Sequence, residues 1–226
     1  MSEESGSSET VVGAPVEERK NVCLLLQLPV ELRLQIYQYL LTSSEAQLAT
    51  LRPLTTRKHL SSYLIPALNI HPNILRTCRL IHEEAGPILY KSNTFCAHPT
   101  QLTECPFLVS SDRVVHYSRF KSKIRKWYIS LRLDIDSRLK ASEVEAAFTG
   151  VDSLEIEVWQ AMFASADLRV LKLFEGVRDV STVKIHGSVS RRYSDWLARC
   201  MTSCPGAHIE PYVDEKDWDA WTHGNR

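Results

Sequence analysis

The sequence predicts a mixed fold, α+β or α/β: N-terminal helices, then a two-layer, repeat-like β-α-β-α-β-α domain with one open sheet face. Three observations predict it. Residues 28–41, LPVELRLQIYQYLL, set Leu28, Leu32, Ile36 and Leu40 four apart, the spacing of one helix face. Three later segments alternate with period two: Trp127, Ile129, Leu131, Leu133 and Ile135; then Leu154, Ile156 and Val158; then Val183 and Ile185. Helical segments separate these strands, as parallel crossovers or a repeat-like stack require.

Each element has its own local signal. Residues 1–22 are rich in Ser, Glu and Gly and are expected to be a disordered acidic tail. Pro29 suits the first turn of the helix that follows, where a backbone N–H would lack a partner. Tyr37 and Leu41 widen its stripe. Residues 42–72, with Pro53 and Pro66, read as a long loop with room for one short strand. A second helix starts near Asn73, with Ile74, Cys78, Ile81 and Ala85 on one side. Gly86-Pro87 is expected to end it, because an internal proline loses a hydrogen bond and clashes with the preceding turn, leaving room for one more turn over Ile88 to Lys91. An extended segment follows at Asn93-Thr94-Phe95. Further on, residues 141–148 read as a short helix, Asp167 as the cap of one reaching Phe174, and Ser190 as the cap of one carrying Tyr193, Trp196, Leu197 and Cys200. The expected divisions are 1–22 for the tail, 23–98 for the helical region, 99–213 for the α/β domain and 214–226 for an acidic C-terminal tail.

Alternation also bears on layering. A parallel sheet covered on both faces shows nearly continuous apolar strands. Here the second face carries Arg132, Asp134 and Asp136, then Glu155, Glu157 and Trp159, then Lys184 and His186. Helices are therefore expected on one face only.

Charge and composition narrow the function classes. Lys+Arg and Asp+Glu each total 27, so global charge does not point to nucleic acid or an anionic membrane. No apolar run approaches the roughly 18 residues that cross a bilayer, and MSEESGSSET lacks the basic start and apolar stretch of a secretory signal. The six cysteines are scattered, which favours reduced thiols and a cytoplasmic or nuclear location.

The candidate chemical sites are weak. His82-Glu83-Glu84-Ala85-Gly86 has glycine where a zinc motif needs its second histidine. Cys78, His82, Cys96, His98 and Cys105 do not follow structural zinc spacings, and Cys200 with Cys204 lacks a second pair. Asp134 and Asp136 would share a strand side with Arg132, which suits ion pairing better than acid–base work. The chain has no P-loop, GxGxxG or GxSxG. No enzyme and no cofactor are expected. Residues 117–128, YSRFKSKIRKWY, interleave basic and aromatic side chains; nucleic-acid binding there is the minority reading beside a solvated approach to a strand.

The two helical segments together carry a resemblance. Leu28-Pro29, Glu31-Leu32-Arg33 and Ile36-Tyr37, followed by Cys78-Arg79, Glu84-Ala85, Leu89-Tyr90 and Asn93-Thr94-Phe95, resemble the paired motifs of a large set of filamentous-fungal F-box-like proteins. WYISLRLDID and VDSLEIEVWQAMF resemble the C-terminal part of that group, so the likeness spans about residues 24–205. It implies a protein-interaction module, a substrate receptor whose first helix docks on the Skp adaptor of a ubiquitin ligase. By position, Leu28, Pro29, Leu32, Ile36 and Leu40 would face the adaptor. The strand face, with Arg132, Asp134, Glu155, Glu157, Trp159, Lys184 and His186, would meet a target protein. One departure matters: about thirty irregular residues stand between Leu41 and Asn73, where a standard F-box runs straight on. Either the first helix keeps a face for a partner, or it spends that face on the second helix as a stand-alone interaction scaffold.

Overall fold

The computed structural model describes residues 23–43, 70–108, 114–134, 138–160 and 168–213. A one-turn helix, α1 (Leu24–Gln27), leads through Leu28-Pro29 into α2 (Val30–Leu41). After a 3-10 turn at Pro72–Arg76 comes α3 (Arg79–Ser92). The strands and remaining helices follow as β1 (Thr94–His98), β2 (Leu102–Phe107), α4 (Ser118–Lys121), β3 (Lys126–Arg132), α5 (Ala141–Phe148), β4 (Ser153–Trp159), α6 (Arg169–Lys172), β5 (Thr182–Gly187) and α7 (Arg191–Thr202). The result is a mixed α/β structure around one five-stranded, mostly parallel sheet in the order β2-β1-β3-β4-β5; β2 alone runs antiparallel to its neighbour.

The β3-α5-β4-α6-β5-α7 run follows from the alternation. Right-handed crossovers bring successive helices to the same side of a parallel sheet. Trp127, Ile129, Leu131, Leu154, Ile156 and Val158 accordingly share one core with Val144, Phe148, Leu171, Phe174, Leu197 and Met201. Phe148 centres it, edge-on to Trp127 at 6.1 Å and stacked on Phe174 at 5.8 Å. Ser190 caps α7 as expected, its hydroxyl accepting from Tyr193 N at 3.3 Å. Gly187 closes β5 at φ +103°, where a β-carbon would stand 2.0 Å from Val158 O, so this close approach of two strands requires glycine. The helix beginning at Arg169 starts after Leu168, and the expected cap Asp167 lies outside the described residues. So do the expected tails, most of the loop between 42 and 72, Ile135 and Asp136.

Four expectations are corrected. First, α3 runs on through Gly86-Pro87 to Ser92. Pro87 removes the bond that Glu83 O would accept, a cost of roughly 3 kcal/mol in an isolated helix. Burial of Ile81, Ala85 and Leu89 on both sides of that break holds the helix together. Second, Cys78 belongs to no stripe: it is the exposed residue before α3, and Leu75 takes the core position. Third, the sheet has two more strands than the three alternating segments. β1 grows from the extended segment at Thr94, and β2, carrying Pro106, pairs back on it across the expected division at residue 98.

Fourth, the second sheet face is open only in part. All five residues from Trp127 to Leu131 are buried, because β3 is central and Tyr128 packs with Cys96, Phe107 and Val114. Toward β4 and β5 the face becomes more accessible: β4 alternates buried with half-buried residues, and Thr182, Lys184 and His186 of β5 are exposed.

Candidate functional site: the outward face of α2

Helix α2 has two apolar sides, and packing chooses between them. Tyr37 and Leu41 are fully buried and Leu34 partly so, against Leu75, Ile81, Ala85 and Leu89. These positions, three and four apart, form the inward face. Sequence spacing alone had made Tyr37 and Leu41 extensions of the Leu28, Leu32, Ile36, Leu40 stripe; in the structure they lie across the helix from Leu32. That other side keeps solvent: Leu32 is 46% and Tyr39 82% exposed, with Ile36 half-buried between them. At about 100° per residue, Leu32, Ile36 and Tyr39 fall within roughly 60° of arc. Leu24 is 77% exposed on α1 and Pro29 is exposed beside a half-buried Leu28, whereas Val30, 43% exposed, stands about 160° round the helix from Leu32. Leu40 is the exception among the five expected adaptor-facing residues, since it packs partly onto the α2–α3 core. Apolar side chains left exposed together on one helix face make a candidate interaction surface.

Polar groups the sequence reading overlooked lock this orientation. Arg33 Nε and Nη2 bond Glu84 Oε2 and Oε1 at 3.0 and 2.6 Å, a two-pronged pair across 51 residues of sequence. Tyr37 donates its hydroxyl to Glu84 Oε2 at 3.1 Å. The hydrogen bonds from Arg33, and then those from Tyr37, hold the Glu84 carboxyl below its ordinary range. Burial, followed by the same carboxylate, pushes the Tyr37 phenol up. Asn93, 1% exposed, joins the other end. Its Nδ2 donates to Leu41 O at 2.7 Å and Leu89 O at 2.8 Å, and its Oδ1 accepts from Ser43 N at 2.9 Å and Ser43 Oγ at 3.0 Å. All four bonding positions of that amide are therefore used. The signal was present in the sequence as polar residues embedded in apolar motifs, Arg33 between Leu32 and Leu34 above all.

The expected target-binding residues of the sheet are brought together, and most bond to one another. Register aligns Tyr128 with Glu155 and Lys184, Ser130 with Glu157 and His186, and Arg132 with Trp159. His186 Nε2 donates to Glu155 Oε1 at 3.1 Å, and Tyr128 donates to Glu157. Burial first, then that carboxylate, pushes the Tyr128 phenol well above its usual range. Arg132 grips Asp134 with two 2.7 Å bonds and lies 5.3 Å over the Trp159 ring. Asp134 is thereby corrected as a surface contact. It sits past the end of β3 with only 2% of its side chain exposed, drawn in by the guanidinium. Trp159, Glu155, Glu157, Lys184 and His186 remain on the accessible part.

The basic stretch is likewise engaged. Lys121 pairs with Glu104 at 2.7 Å, Arg125 with Asp152 at 2.9 Å, and Lys126 donates to Ser92 O at 3.3 Å. Arg119 lies 4.6 Å over Phe120, which itself stacks on Tyr90 at 5.1 Å between α3 and the sheet. Of the cysteine and histidine group, Cys96 is buried in β1, and His82 Nδ1 donates to Leu75 O at 3.0 Å. Among the described residues, no three His, Cys, Asp or Glu side chains gather as a metal would need. Nor is any described helix long and apolar enough to cross a membrane.

Comparison with known proteins adds no relative. No protein-family model, curated protein or solved structure matches the chain.

Proposed function

We propose that the chain is a non-enzymatic, F-box-like interaction module whose α2 docks on a Skp-type adaptor, making it a substrate receptor of a ubiquitin ligase. The observation that carries this reading is the division of α2. Leu34, Tyr37 and Leu41 secure it to α3, while Leu32 and Tyr39 stay exposed and Ile36 half-exposed beside them. Had the α2–α3 core consumed the motif stripe, a stand-alone scaffold would be the better account. The sheet's accessible end, around Trp159, Lys184 and His186, is the surface for a target, because a tryptophan amid charges makes a strong interface anchor. Nucleic-acid binding is disfavoured by the internal partners of Lys121, Arg125 and Lys126.

The test is co-purification with a Skp-type adaptor at moderate and high salt, comparing wild type with Leu32→Asp/Ile36→Asp. Circular dichroism checks that the variant folds. Docking through apolar side chains predicts salt-resistant capture that the folded variant loses, whereas binding to phosphates weakens steeply with salt. Failure of the folded wild type to capture the adaptor leaves the scaffold without a ubiquitin role.

A further inference from the structure

We infer that Arg33 is the positioning residue of the docking face: it holds the Leu28-Pro29 corner in place, and Glu84 of α3 holds Arg33. The consequence for binding rests on the adaptor reading above, whereas the corner itself is geometry.

Helix α1 is a single turn. Its last carbonyls have no continuing helix to bond to, and Pro29, having no N–H, cannot supply a donor where the chain turns. Arg33 Nη1 fills that need, donating to Leu28 O at 2.6 Å and Leu26 O at 3.4 Å. The same guanidinium presents Nε and Nη2 to Glu84. One planar fork thus joins three pieces of chain: the end of α1, the first turns of α2, and α3. Lysine, a point charge on a flexible stem, cannot span these acceptors at once. Leu28 and Pro29 flank the exposed Leu32, and Leu24 lies one turn before the corner, so its angle sets how the whole apolar strip is presented. A second consequence follows: the strip takes its shape only when α3, far along the sequence, is in place.

The experiment uses the full chain and three changes: Arg33→Lys, Glu84→Gln, and the exchanged pair Arg33→Glu/Glu84→Arg. Amide hydrogen exchange over residues 24–28, the thermal midpoint, and affinity for a Skp-type adaptor are read for each. Arg33→Lys is expected to speed exchange at the corner and weaken adaptor binding, each by about tenfold or more. Glu84→Gln, which keeps an acceptor for the fork, should do both to a smaller degree. The exchanged pair restores opposite charges between α2 and α3 but puts no donor near Leu26 O and Leu28 O. It should recover the thermal midpoint without recovering corner protection or affinity. Wild-type exchange at the corner in Arg33→Lys overturns the positioning role. Wild-type affinity in the exchanged pair reduces Arg33 to an ordinary link between helices. If wild type captures no adaptor, the docking reading fails separately, and the exchange data alone decide whether Arg33 holds the corner.

Discussion

The α2–α3 unit and the sheet domain bury their side chains by different means. Around the sheet, the core is large, apolar and aromatic: Trp127, Phe148 and Phe174 in succession, with fully buried Ile, Leu and Val from strands and helices. Between α2 and α3 the apolar core is small, and its margins are polar, with Arg33-Glu84-Tyr37 at one end and Ser43-Asn93 at the other. Apolar contact is non-directional and tolerates sliding, whereas hydrogen bonds fix angle and register. The sheet domain is thus built for bulk stability and the helix pair for holding one orientation. An element that leaves Leu32 and Tyr39 to solvent while burying Tyr37 and Leu41 needs the second kind of support. Tyr90, which packs against both cores and stacks on Phe95 and Phe120, ties the two regions together.

The largest test of that contrast is Phe148→Ala. Emptying the centre of the aromatic core is expected to cost about 3–5 kcal/mol, a loss of chemical-denaturation stability felt across the sheet. A cost below about 1 kcal/mol would show that the core is loosely packed. Asn93→Ala strikes the opposite region and leaves Leu41 O, Leu89 O and Ser43 N without their partner. The expected cost is on the order of 2–3 kcal/mol. Hydrogen exchange should rise first in α2, with β3 and β4 keeping their protection; uniform loss over both regions would erase the distinction.

A pH titration sharpens it further. The native Glu84 carboxyl is held below its ordinary range, chiefly by Arg33, so the unfolded chain binds the proton more readily. The stabilisation is fully present above the usual carboxylate pKa of about 4.3 and is lost as pH falls through the depressed native value. Glu84→Gln should flatten that acid limb for α2 in far-UV and exchange measurements while leaving the sheet's acid limb unchanged. An unaltered α2 acid limb would mean the pair contributes nothing. Smallest of all is Leu32→Ser, expected to change stability by less than about 0.5 kcal/mol because the side chain lies outside the core. A loss of 2 kcal/mol would place Leu32 inside.

Much of the sheet domain was legible, because each strand's alternation and each helix's period state which side meets the core. The apolar side of β3 and β4, the helix over 141–148 and the Ser190 cap needed no distant information. β2 was not legible: LTECPF is short, mixed in character and contains Pro106, which local patterns assign away from sheets. The candidate site was half legible. Leu32 and Ile36 stood out by spacing, but the clamp joins residues about fifty positions apart, beyond the reach of any periodicity.

The sequence by itself determined that α2 is a helix with more apolar surface than one contact uses, that the later strands carry one apolar side, and that no familiar catalytic motif is present. Only tertiary structure decided which side of α2 is buried, because two apolar stripes on one helix are equivalent until a partner surface arrives. It also decided that α3 survives Pro87 and that part of the sheet's polar face is closed. In the first case burial from distant residues outweighed a local cost of roughly 3 kcal/mol, and in the second the central place of β3 covered the face.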